Sequence, residues 1–231
     1  MMIGWALPLA VGLALEIAIV VVLLKGPIRR FPLIFAYCLF QTYVSISEGL
    51  KYFMLGPRAE GFAELYWLND LVLHAFIILI IGSLVRSALP ASVKSRAISM
   101  LLSLFAVAVG LISLYFYYDA QLSRWMTPVS RNLSFAEEML VFLLWAILVR
   151  ARTQDQVLLL VSSGLGIQVT GEVIAHTLRM YSKSREVWLP NVLLNAADLL
   201  CLLIWLWAFR TGRAIAAIEP APPAPVNHNT I

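Results

Sequence analysis

Charge is scarce in this sequence. Only 13% of its 231 residues are Asp, Glu, Lys or Arg, about half the share of a water-soluble domain, so a soluble globule is excluded. Cysteine and histidine are scarcer still, at two and three. The two cysteines have no zinc-type spacing and fall inside apolar segments, where they read as small packing residues. No HExxH or HxxxH pair, serine-nucleophile motif or phosphate loop occurs. No lysine lies in the middle of the last apolar segment, which excludes a retinal Schiff base of the rhodopsin kind. Disorder is excluded for all but the end of the chain, because disordered segments are poor in apolar residues.

Apolar side chains are abundant instead. They make up 61% of the chain, and mean hydropathy is +0.85. A membrane-spanning helix needs about 20 mostly apolar residues. Seven such stretches stand out, at about 3–24, 31–55, 64–86, 97–118, 132–150, 157–180 and 190–209. Breakers mark the connections: Gly26-Pro27, Gly56-Pro57, Pro90, Pro128 and Pro190. No period-2 alternation suggests an outer-membrane barrel. The expected fold is all-α, a seven-transmembrane-helix bundle over 1–213, followed by a disordered Pro/Ala-rich cytoplasmic tail over 214–231. Lys25, Arg29 and Arg30 follow the first span like a stop-transfer signal, so it reads as a retained helix.

The net charge of +4 is explained by topology, with no nucleic acid among the expected partners. Ten of the 17 basic residues sit in one set of loops and seven in the other. The positive-inside rule then places the N-terminus outside and the C-terminus in the cytoplasm of a bacterial inner membrane. The start of the third span, Trp67-Leu68-Asn69-Asp70, echoes that of the seventh, Trp188-Leu189-Pro190-Asn191. The second and sixth spans each carry a glutamate, Glu48 and Glu172. These echoes suggest a 3+1+3 parallel internal repeat, a layout known among small transporters.

Polar side chains inside spans are expensive and usually face the bundle interior. Here they form rows at helical spacing: Gln41, Ser45 and Glu48; Asp70 and His74; Ser134, Glu137 and Glu138; Gln168, Glu172 and His176; Asn191, Asn195 and Asp198. With 1.5 Å of rise per residue, most of the acids lie roughly 8–12 Å from the outer end of their helices. That common depth predicts one acid-rich, outward-facing cavity. The residues expected to bind a cation or small polar ligand are Glu48, Asp70, Glu172, Asp198, Asn195 and Glu138. Gln41, Ser45, Gln168 and Asn191 need no role beyond interhelical hydrogen bonding. Transport or sensing would use such a cavity. Two alternatives stand beside it. Asp70–His74 and Glu172–His176 are both i, i+4 acid–imidazole pairs, which points to a divalent metal on His74 and His176 with Asp70 and Glu172, and to a metal-dependent intramembrane hydrolase. A scaffold subunit with no ligand is the other.

The stretches RRFPLIFAYCLFQ, YWLNDLVLHAFIILIIGSLVR and LPNVLLNAADLLCLLIWLWAF resemble a set of uncharacterised seven-helix membrane proteins of acidobacterial type. The resemblance implies seven helices in a bacterial inner membrane and carries no activity. The 3+1+3 layout is similar to that of sugar-transporting SWEET proteins, whose proline–glutamine loop this sequence lacks.

Overall fold

The computed structural model describes residues 3–55, 62–89, 95–117, 122–181 and 188–218. Among them it contains seven α-helices and no strand: α1 Ile3–Leu24, α2 Pro32–Leu55, α3 Phe62–Ala88, α4 Ser95–Tyr117, α5 Leu122–Arg150, α6 Gln156–Tyr181 and α7 Trp188–Ile218. Six of them, all but α4, are long and apolar enough to cross a bilayer. The 23 residues of α4 give it the length of a span as well. Leu7, Ile17, Met100, Leu104, Phe116, Phe142 and Val149 are all exposed. So many outward apolar side chains suit acyl chains and would be a liability in water.

The helix boundaries follow local chemistry. Gly26-Pro27 ends α1, and a short 3₁₀ turn over Pro27–Arg29 leads into α2. Pro128 lies inside α5, which begins ten residues before the expected start at 132. A proline removes one backbone bond but is tolerated where neighbouring helices support the chain. Pro190 falls in the first turn of α7, where its missing N–H has no intrahelical partner to lose. At the end of α5, Arg152 takes a left-handed conformation with φ 48°. There the Thr153 amide donates to the Leu148 carbonyl and the Arg152 amide to that of Val149, the pairing that closes many helix C-termini. Asp155 then caps α6, its Oδ1 accepting from the Leu158 amide at 3.2 Å. The same carboxylate pairs with Arg30 in the turn before α2. Gly56-Pro57, Pro90 and residues 219–231 of the expected tail lie outside the described residues.

Helices α1, α2, α3, α5, α6 and α7 pack in a ring in that order, with α7 closing onto α1, and α4 lies outside against α3 and α5. One half of the bundle is solid. Ile19 and Leu23 of α1, Ile34 of α2, Ile81 of α3, Leu144 of α5, Leu158 of α6 and Phe209 of α7 form one buried cluster. Arg30, Arg86, Arg150 and Arg210 are exposed at that end. Cys38 and Cys201 are free and fully buried in this cluster, which fits a packing role.

The α6–α7 contact is set by small residues. A Cβ on Gly164 would lie 2.9 Å from Trp205 Cδ1, and one on Gly171 would lie 2.2 Å from Ala197 Cβ. Trp205 fills the first gap and donates its indole N–H to the Val161 carbonyl at 3.0 Å. Close backbone approach through small residues is how membrane helices gain packing without a hydrophobic drive. Gly171→Ala is expected to destabilise the protein by about 1–3 kcal/mol through overpacking. Adding Ala197→Gly should restore much of that loss, as read from thermal unfolding in detergent micelles.

Candidate functional site

The other half of the ring is not solid. A cavity of about 240 Å³ lies there, lined by α1, α2, α3, α6 and α7. Each helix contributes in its own period. Tyr37, Gln41, Ser45 and Glu48 descend one face of α2; Asp70, His74 and Ile77 one face of α3; Gln168, Glu172 and His176 one face of α6. Asn195 and Asp198 come from α7. Spacings of three and four keep each set on one side of its helix. The floor is aromatic: the Tyr37 ring packs edge-on against Trp205, with centroids 5.8 Å apart. Its hydroxyl oxygen accepts from Gln168 Nε2 at 2.7 Å.

The structure therefore brings Glu48, Asp70, Glu172, Asp198, Asn195, His74 and His176 to one cavity. Glu138 stands apart. It accepts from Thr170 Oγ1 at 2.9 Å on an exposed face, and its neighbour Glu137 turns inward, fully buried. Consecutive helical residues point about 100° apart, so only one of the two faces the interior. The phase of α5 decides which. Ser130, Ser134, Glu137, Val141, Leu144 and Leu148 are buried, whereas Phe135, Phe142, Trp145 and Val149 are exposed.

Hydrogen bonds, most of them from neighbouring helices, hold these carboxylates. Asn69 Nδ2 donates to Glu48 Oε1 at 2.8 Å. Ser130 Oγ donates to Asp70 Oδ2 at 2.5 Å. His74 Nδ1 meets both oxygens of Glu137, at 3.0 and 3.1 Å, and its Nε2 lies 3.7 Å from Asp70 Oδ2. Glu172 accepts from Gln168 Nε2 at 3.3 Å and from Ser134 Oγ at 3.5 Å. Glu16, also buried, accepts from Ser45 Oγ at 3.2 Å and ties α1 to α2 behind the cavity.

Among the described residues, arginine does not pair with these acids. Arg179 Nη2 donates to Asn191 Oδ1 at 2.6 Å, and Arg131 donates to Asn132 and Met180. Among the described residues, the ion pairs reaching Asp70 and Glu137 come from His74. Several buried polar atoms on cavity-lining residues have no hydrogen-bond partner among the described residues: His74 Nε2, Gln168 Oε1, His176 Nδ1 and Gln41 Oε1. Buried polar atoms are nearly always paired, with water or a ligand where the protein supplies nothing. Sequence reasoning had not singled out Ser130 and Tyr37, which orient Asp70 and Gln168. Their signal is periodic: Ser130 precedes Ser134 and Glu137 by four and seven residues, and Tyr37 precedes Gln41 by four.

Chemically, the arrangement offers carboxylate oxygens and imidazole nitrogens to anything small, positive and oxygen-seeking. Glu137→Ala would leave the His74 ring buried without its carboxylate, an expected loss of about 1–3 kcal/mol. Glu138→Ala should change stability by less than about 0.5 kcal/mol. Denaturant unfolding of both variants in mild detergent with a chelator present checks the contrast.

No family model matches this chain, and no curated protein or solved structure is similar to it.

Proposed function

We propose that this chain is a multi-pass protein of the bacterial inner membrane that binds a cation, or a small polar ligand carrying positive charge, within the cavity. The observation that carries this reading is that Glu48, Asp70, Glu172 and Asp198 line one cavity to which, among the described residues, no lysine or arginine contributes. Intramembrane carboxylates are costly and gather where ions or substrates pass. At an effective dielectric of about 20, a unit positive charge 4 Å from one carboxylate gains about 4 kcal/mol, so a cationic ligand is favoured over a neutral or anionic one of equal size. Glu48 and Asp198 contact the ligand from the two helices that flank α1, and Asn195 adds a neutral donor and acceptor. The apolar cluster beyond Tyr37 and Trp205 supports sensing over conduction, since a conducting path needs a polar exit. With the basic loops inside, the cavity lies in the outer half and the C-terminus in the cytoplasm. The halves α1–α3 and α5–α7 read as a parallel duplication, in which the α1–α7 seam answers the α3–α5 seam.

Thermal unfolding at matched ionic strength, with sodium, magnesium, manganese, zinc and tetramethylammonium chlorides as probes, tests the binding. At least one cation is expected to stabilise the wild type, by about 2.7 kcal/mol at one hundred times its dissociation constant. The Glu48→Gln/Asp198→Asn double variant should lose that gain. A panel with no cation-specific shift, or an undiminished sodium or tetramethylammonium shift in the double variant, overturns the reading and leaves a scaffold role.

Orientation has its own check. A C-terminal green fluorescent protein fusion should fluoresce, and a C-terminal alkaline phosphatase fusion should be inactive.

A further inference from the structure

Three helices deliver metal-type donors to one point. His74 from α3, Glu137 from α5 and Glu172 from α6 each supply a ligand atom, and these atoms all lie within 4.8 Å of one another. The histidine and Glu137 are buried, and Glu172 borders the cavity. We propose that these three residues bind one divalent first-row transition-metal ion at the junction of α3, α5 and α6. The proposal rests on the cation-binding reading of the cavity and names its ion class and first ligands.

Charge balance favours an ion of this kind. Two carboxylates bring two negative charges into a place where no lysine or arginine pairs with them among the described residues. A protonated His74 would offset only one. A divalent ion beside a neutral imidazole offsets both, and buried charge is tolerated only when paired or metal-bound. The donor set fixes the class further. Imidazole suits zinc, iron and nickel, whereas magnesium and calcium call for six or more oxygens. Metal–ligand distances near 2.0–2.2 Å put donors roughly 3–4 Å apart around one ion, so the observed spacing closes with a small side-chain shift.

A second observation points the same way. The His74 side chain is only 4% exposed, and its Nε2 has no hydrogen-bond partner. Nδ1 is nearly equidistant from the two Glu137 oxygens, which makes it the nitrogen for the metal. Nε2–H is then free to donate to Asp70 Oδ2, now 3.7 Å away and held by Ser130. A ligating histidine almost always gives its other N–H to a carboxylate or carbonyl in this manner. Gln168, bonded to Glu172 through Nε2 with its Oε1 unpartnered, orients the third ligand. Three protein ligands leave a coordination position for water or a ligand oxygen from the cavity.

Equilibrium dialysis of the full chain in detergent, stripped with EDTA and then exposed to Zn²⁺ or Mn²⁺, tests the site by mass-spectrometric metal counting. About one ion per chain is expected in the wild type and in the Glu64→Gln control. His74→Ala, Glu137→Gln and Glu172→Gln should each weaken binding by about 100-fold or more, and Asp70→Asn by about tenfold. Glu172→Asp serves if Glu172→Gln fails to fold, with gel filtration and circular dichroism as the check, and should also weaken binding. Cobalt substitution should give visible d–d absorption that His74→Ala abolishes. No bound Zn²⁺ or Mn²⁺ in the wild type, or retention in all three ligand variants, overturns the metal site. If tetramethylammonium or sodium still stabilises the protein through Glu48 and Asp198, the cavity reading survives that failure; if no cation acts, both fall.

Discussion

A carboxylate facing acyl chains has neither water nor a counter-charge, and the inward rotation of the polar faces of α2, α3, α6 and α7 answers that constraint. Removing an ion from water costs several kcal/mol even after relaxation. Buried or half-buried acids on α1, α2, α3, α5 and α6 each meet a donor from another helix or along their own. Ser45 reaches Glu16, Asn69 reaches Glu48, Ser130 reaches Asp70, and Gln168 and Ser134 reach Glu172. His74 and Glu137 satisfy each other directly. All of these bonds but Gln168–Glu172 cross between helices, so they fix the rotation of each helix about its axis as well as satisfying the acids. The cavity is what remains once those rotations are set.

The solid half makes that rigidity possible. Trp205, Tyr37 and Phe209 fill the centre beneath the polar region, and Gly164 and Gly171 let α7 approach α6 closely enough to hold them. In lipid, apolar burial gives little drive for association, so shape and close packing carry more of the load. At the far end, the capped start of α6, with Asp155 bonded to both the Leu158 amide and Arg30, anchors α6 to the turn before α2 outside the apolar layer.

Much of this was legible in the sequence, for a simple reason. Helix spans are dictated by the thickness of hydrocarbon, and runs of apolar residues report them directly. The rows of polar residues at three- and four-residue spacing likewise mark one face of each helix, and those on α2, α3, α6 and α7 border the cavity. What stayed hidden was local. Pro128 reads as a breaker in isolation, yet α5 continues through it because its neighbours support the backbone. Glu137 and Glu138 cannot be ranked until the phase of the surrounding serines and leucines is followed along the whole helix. Arg179, one turn beyond His176 on α6, bonds Asn191 at the start of α7 and not one of the cavity acids, a choice that spacing does not show. The pairing of His74 with Glu137 joins residues 63 apart, and such distant partners leave no periodic trace.

The ring order bears on how the protein is made. Helices leave the ribosome in sequence, and α1 finds its second flank only when α7 arrives. Until then Glu48 and Asp70 stand in an open arc, facing lipid or whatever accompanies the nascent chain. The late helix also brings Asn195 and Asp198, so ring closure and completion of the polar chamber are one event. Biogenesis of this protein thus has a vulnerable interval, during which an insertion factor able to shelter acidic side chains would matter most.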